Sequence, residues 1–227
     1  AQYYKFINAG IPVIGVTAYK TFPIKITDPS EDKYHLTDTF NYHDNINIWL
    51  TCMRDIKLYN FTNNHKVIDM SESDFYDIEN DNMKKEKIYD FIYICNKDHG
   101  DSCPLNGWNA INRNYNLALK CFPIMINEYK LKGLLIGRIN CEIPKNCHNI
   151  MELTDFQKYH EFIQNYNKCR FIFLPNKSDA SPRVMTEAMC YNLPVLVNKN
   201  IVGGWKYVTP ETGEEFTMND FEEKLDK

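Results

Sequence analysis

Apolar and polar positions change rhythm partway along the chain. From residue 89 onward, short continuous apolar runs alternate with stretches in which apolar residues recur every three or four positions. The runs are YDFIYIC (89–95), GLLIGR (133–138), RFIFLP (170–175) and LPVLVN (193–198). Apolar runs bounded by polar residues suit strands covered on both faces, as in a parallel sheet. Between them, Trp108, Ile111, Tyr115, Ala118, Leu119 and Phe122 predict a helix from Gly107 to about Tyr129, kinked or ended early by Pro123. Phe156, Tyr159, Phe162, Ile163 and Tyr166 predict a second helix, with Thr154 as its N-cap. SPRVMTEAMCYN predicts a third, capped by Ser181 and opened by Pro182, whose missing N–H costs nothing at a first helical position. Regular alternation of strand and helix implies a parallel sheet with right-handed crossovers.

The first part of the chain reads differently. IPVIGV (11–16), INIWLTC (46–52) and HKVIDM (65–70) are short strand-like runs. The polar stretch between Phe22 and Asn45 is long for a structureless loop in a compact domain. DIENDNMKKEK, acidic then basic, has no apolar periodicity and reads as a linker. The expected organisation is a partial N-terminal α/β segment over 1–80, a linker over 81–88 and a Rossmann-like domain over 89–227.

Composition narrows the function classes. A net charge of −4 with interspersed charges argues against a general nucleic-acid binder. No apolar run approaches the roughly 20 residues of a membrane span. The opening AQYYKFINAG shows no basic region followed by an apolar one, so no signal peptide and a cytoplasmic location are expected. The eight cysteines include no CxxC pair, and CEIPKNCH (141–148) fits no common zinc spacing. Free thiols and no bound metal are therefore expected. A D-x-D reading of Asp69 and the acids near Asp81 lacks the buried strand that such a motif should follow. His99, in a polar loop at the ligand edge, reads as an exposed histidine. The sequons at Asn60 and Asn176 matter only to a secreted chain.

In open parallel sheets ligands bind beyond the carboxyl ends of the strands. Here the strands lead into residues 95–106, 138–149, 175–181 and 198–204. The stretch SDASPRVMTEAMCYNLPVLVN (178–198) places Asp179 in such a loop and Glu187 eight positions later. The helix opening near Pro182 directs free N–H groups at that edge, an arrangement that favours phosphate. Asp179 and Glu187 then either face one ligand, or serve as a capping acid and a solvent-facing helix residue. Spacing alone favours the second.

The wording of this stretch resembles the signature of GT-B glycosyltransferases, specifically the retaining family 4. That pattern is an acid, seven residues, a glutamate followed by Ala-Met, a small linker and a Pro-Val strand. Asp179, Glu187, Ala188, Met189 and LPVLV follow it, with Asp in place of the usual Glu and Asn192 in place of the linker Gly. GGWKYVTPETGEEF (203–216) resembles the family's Gly-Gly turn, short helix and strand lead. Residues 89–138 resemble the opening of its second domain, with Lys97 near the phosphate-binding Arg and Asn106-Gly107-Trp108 where Lys-Gly-Trp is usual. Residues 63–79 resemble its interdomain passage. The resemblance covers about 160 residues, and the part before Ile78 is about half a full N-terminal domain.

The resemblance implies a GT-B enzyme that moves a hexosyl group from a nucleotide-diphosphate-sugar to an acceptor hydroxyl, retaining and metal-independent, with the donor as substrate and no cofactor. It implies Asp179 and Glu187 as the catalytic acids, Asp179 on the sugar and Glu187 on the ribose. The donor-binding set is Lys97, Arg138, Ser181, Pro182, Arg183, Val184, Glu187, Gly203 and Gly204, with Lys97, Arg183 or Arg138 on phosphate. Acceptors are glycan, lipid or protein, and an oligomer or partner is one way to complete the N-terminal domain. The rival readings are a non-catalytic nucleotide- or glycan-binding module and a different GT-B enzyme such as an epimerase or phosphorylase.

Overall fold

The computed structural model describes residues 2–17, 22–23, 40–70, 75, 86–98, 103–148 and 151–226. Most of the expected linker, His99, the acids near Asp81 and the Ser71–Asp74 portion of the interdomain passage lie outside them. The chain divides into two compact units, Ala1–Glu72 and Ser73–Lys227.

In the first unit, α1 (Gln2–Asn8), β1 (Gly15–Thr17), α2 (Tyr42–Asn45), β2 (Ile48–Thr51) and β3 (Lys66–Asp69) are built on a three-stranded parallel sheet of order β1-β2-β3. Trp49 is its buried centre and donates from Nε1 to the Ile46 carbonyl at 2.7 Å. Gly15 lies beside this indole because a Cβ there would meet the ring at 2.3 Å. Helix α1 is not legible in the sequence: it buries no residue, so it carries no core stripe.

The second unit holds six parallel strands: β4 (Tyr89–Ile94), β5 (Gly133–Ile136), β6 (Met151–Thr154), β7 (Cys169–Leu174), β8 (Val195–Asn198) and β9 (Gly213–Phe216). Their order is β6-β5-β4-β7-β8-β9, all pairs parallel. Counted within the unit this is 3-2-1-4-5-6, the doubly wound order, and the winding reverses between β4 and β7. Alternate residues of β4 feed two cores. Phe91 and Tyr93 pack with Ala118, Phe122 and Phe221 on one side; Ile92 packs with Tyr166, Met185 and Ala188 on the other.

Four expectations are corrected. The region 107–129 is not one helix but α3 (Trp108–Asn112) and α4 (Tyr115–Pro123), broken at Asn114, whose φ is +50°, and followed by a π-helical turn over Ile124–Glu128. Thr154 caps no helix: it ends β6, an edge strand of sequence MELT in which only Met151 is buried, so no apolar run announces it. The helical stretch after it is α5 (Tyr159–Phe162) with a 3₁₀ continuation over Ile163–Lys168. Ser181 is not a cap: α6 (Arg183–Cys190) has Pro182 at the cap position, and the Ser181 N–H instead donates to Asp179 Oδ1 at 3.3 Å. Finally, two cysteines are joined. Cys103 and Cys141, in the segments after β4 and β5, have Cα atoms 5.6 Å apart and form a disulfide, leaving Cys52, Cys95, Cys121, Cys147, Cys169 and Cys190 free. The chain closes with α7 (Phe221–Leu225).

Candidate functional site

At the reversal of winding the helices after β4 and β7 pack on opposite faces of the sheet, the arrangement that leaves a crevice beyond the strand ends. A cleft of about 300 Å³ lies on this edge, lined by Ile94, Asn96, Asn109, Arg113, Ile136, Phe156, Gln157, Tyr159, Phe162, Arg183, Val184 and Glu187. Arg183 and Glu187 are four residues apart on α6, so they share one helix face. Glu187 is held in place by two phenols: Tyr166 donates to Oε2 at 3.2 Å and Tyr159 to Oε1 at 3.4 Å. Tyr166 is itself fully buried, so one side of this arrangement is rigid. Arg183, in the first turn of α6, is exposed at the cleft.

The remaining sequence-derived residues fall behind this surface. Arg138 is fully buried; it donates from Nη2 to Asp98 Oδ2 at 3.0 Å and from Nε to Cys95 Sγ at 2.9 Å, and lies 4.5 Å from the Tyr115 ring centroid. Burial pushes the Cys95 thiol up, against the pull of the adjacent guanidinium. The other oxygen of Asp98 accepts from the Asn109 N–H at 2.7 Å, at the start of α3. Gly107 is required there, since a Cβ would lie 2.2 Å from Asp98 Cγ. Lys97 faces Asp155 at 3.9 Å.

Asp179 is 7% exposed and is not part of the cleft lining. It pairs with Arg113 and accepts from Asn176 Nδ2 at 3.0 Å and from the Ser181 N–H. The acid that the resemblance puts on the sugar thus fastens its own loop. Gly203 and Gly204 press the loop after β8 onto the same segment. The Gly203 N–H donates to the Asp179 carbonyl at 3.0 Å, and a Cβ on Gly203 would lie 1.5 Å from the Ala180 carbonyl oxygen. Gly204 has φ +75°, and its Cβ would meet Met185 and Pro182. Asn192 adopts φ +55°, the left-handed conformation that makes Gly usual at this place and that Asn tolerates.

Arg113, Asn96, Asn109 and Gln157 reach the cleft although the sequence assigns them no role; Phe156 and Tyr159, expected on the apolar face of a helix, are instead 74% and 56% exposed and line the cleft. Phe156, Gln157 and Tyr159 follow β6, which no apolar run marks. Arg113 is hidden inside what the periodicity reads as one continuous helix. Among the described residues no three His, Cys, Asp or Glu side chains gather where a metal ion would sit.

Neither a family model nor a curated protein matches the chain. Solved structures do. It is similar to a mutant of S. aureus TarM in complex with fondaparinux, alpha-GlcNAc-glycerol and UDP: 14% identity, 95% of this chain and 43% of that one, TM-score 0.61. It is also similar to WaaG, a glycosyltransferase involved in lipopolysaccharide biosynthesis: 12% identity, 94% and 65%, TM-score 0.58. A third is the sucrose-phosphate synthase of Thermosynechococcus elongatus: 12% identity, 98% and 60%, TM-score 0.60. The chain spans less than two-thirds of the length of each. At these identities the likeness is one of fold, and that fold is the parallel-sheet α/β architecture of GT-B glycosyltransferases.

Proposed function

We propose that the Ser73–Lys227 unit binds a nucleotide-diphosphate-sugar in the β4/β7 cleft and that the protein transfers the sugar, a hexosyl group, to a hydroxyl of a glycan, lipid or protein acceptor. The observation that carries this reading is Glu187. It stands at the cleft, fixed by Tyr159 and Tyr166, one helical turn from Arg183. A fixed carboxylate accepts hydrogen bonds from a ribose diol, while Arg183 and the N–H groups opening α6 suit the diphosphate. That fixed positive potential would stabilise the leaving diphosphate as the glycosidic bond breaks, so no metal ion is needed. Retention of configuration and a cytoplasmic location belong to the same reading, which the GT-B fold and the Asp179–Val197 wording support.

The test is a thermal-shift panel of UDP, GDP, ADP and CMP, followed by hydrolysis and transfer assays with the matching sugar nucleotides in EDTA. One nucleotide should raise the melting temperature, and transfer should survive EDTA. Glu187→Ala should keep the fold and weaken that nucleotide about tenfold or more, the usual consequence of losing a hydrogen bond to a charged group. Stabilisation by none of the four would sink the donor site, and unchanged affinity in Glu187→Ala would remove the ribose role.

A further inference from the structure

Three basic residues at the crevice already hold carboxylates: Arg138 holds Asp98, Lys97 faces Asp155, and Arg113 holds Asp179. They are not equivalent. The Arg138 side chain is 0% exposed and that of Lys97 9%, and neither lines the cleft. The Arg113 side chain is 26% exposed and lines it. The chain break that ends α3 puts it there: Arg113 is the C-cap of α3, and Asn114 at φ +50° turns the backbone into α4.

The partner is also unusual. Asp179 retains two neutral donors besides Arg113, the Asn176 amide on Oδ2 and the Ser181 N–H on Oδ1. Withdrawing the guanidinium therefore does not leave a bare buried carboxylate, which is what makes breaking most buried pairs costly. A guanidinium fork donates to carboxylate and phosphate oxygens in the same geometry. We infer that Arg113 is an anion-binding residue of the cleft and that Asp179 is an internal stand-in for the ligand's phosphate, holding Arg113 until a diphosphate takes its place. In its identification of the anion this rests on the nucleotide-diphosphate reading above.

The possible roles of Asp179 differ in sign. If Asp179 competes with the ligand, Asp179→Asn tightens binding of a phosphate. If Asp179 touches the sugar or only shapes the loop, the same change leaves that binding unchanged or weakens it. Calorimetric titrations of UDP, inorganic pyrophosphate and uridine are run on the full chain, on Asp179→Asn, on Arg113→Met and on the double variant. The double variant removes both charges together, so it leaves no unpaired buried ion if Arg113→Met fails to fold. Expected are a gain of about tenfold for UDP and pyrophosphate in Asp179→Asn, a loss of about tenfold or more in both variants lacking Arg113, and no change in either direction for uridine. No gain for UDP or pyrophosphate in Asp179→Asn overturns the inference, while UDP binding to the unaltered chain leaves the donor-site reading standing. If the unaltered chain binds no nucleotide but Asp179→Asn still gains pyrophosphate, the exchange stands and the donor reading falls.

Discussion

Gly203 shows how narrowly single residues set this edge of the molecule. Its missing side chain lets the loop after β8 lie against the Ala180 backbone, with a hydrogen bond to the Asp179 carbonyl. Backbone cannot swing aside as a flexible side chain does. Gly203→Ala should therefore destabilise the protein by about 1–3 kcal/mol through overpacking, read in urea unfolding. A stability change below about 0.5 kcal/mol would contradict the contact. At this scale the sequence is informative about identity and poor about direction. Glu187 and Arg183 stand out in the sequence only through the resemblance of their stretch to a glycosyltransferase signature, since spacing alone reads Glu187 as a solvent-facing helix residue; in the fold their four-residue separation on α6 puts them on one face. Asp179 is legible as a residue but not in its orientation, because the partner that turns it inward, Arg113, lies 66 positions away in the chain. Arg138 likewise ends a strand aimed at the ligand edge, and only the fold brings Asp98 and Cys95 around it.

Elements with strong apolar runs are legible, and those without them are not. Strands β4, β5, β7 and β8 are continuous apolar segments. Strand β6 is half polar and sits at the sheet edge, where one face and one ladder are relieved of burial. Missing it also hides the cleft residues that follow it. The disulfide cannot be read either, since pairing depends on how near β4 and β5 bring their trailing segments. It closes a loop with a sequence separation of 38 that contains α3, α4 and β5. In the chain-entropy account, such a cross-link stabilises by about 4 kcal/mol at most. Reduction, or Cys103→Ser, should lower the unfolding free energy by about 2–4 kcal/mol. Alkylation of the unfolded, unreduced chain should label six cysteines, and eight after reduction. Eight labelled without reductant would exclude the bond. In the native state, Cys190 should react first, because the other five free thiols are buried.

For the molecule as a whole, the two units of the chain differ in how much they hold within themselves. The Ser73–Lys227 unit contains all six strands of the larger sheet and both of its packed cores. A chain restricted to residues 73–227 should fold cooperatively, giving a single sigmoidal urea transition by circular dichroism, and should show the same pattern of thermal shifts across the four nucleotides as the full chain. A broad, non-cooperative transition would show that the larger unit depends on the smaller. The doubly wound architecture is legible because regular alternation of strand and helix leaves few topologies open. The smaller unit is less so: its strands run only three or four residues, and Val16 and Ile68, level with Leu50 across the sheet, are 38% and 40% exposed.

Asn176 carries one more consequence. It begins a sequon, yet it is 0% exposed, two residues past the end of β7 with its amide on Asp179. No glycosylating enzyme can reach it once β7 has paired with β8, whereas Asn60 stays exposed. In a eukaryotic secretory host the two sequons would thus act as a clock. A glycan on Asn60 is compatible with a finished fold, while one on Asn176 marks a chain modified before its central strands closed and unable to close them afterwards.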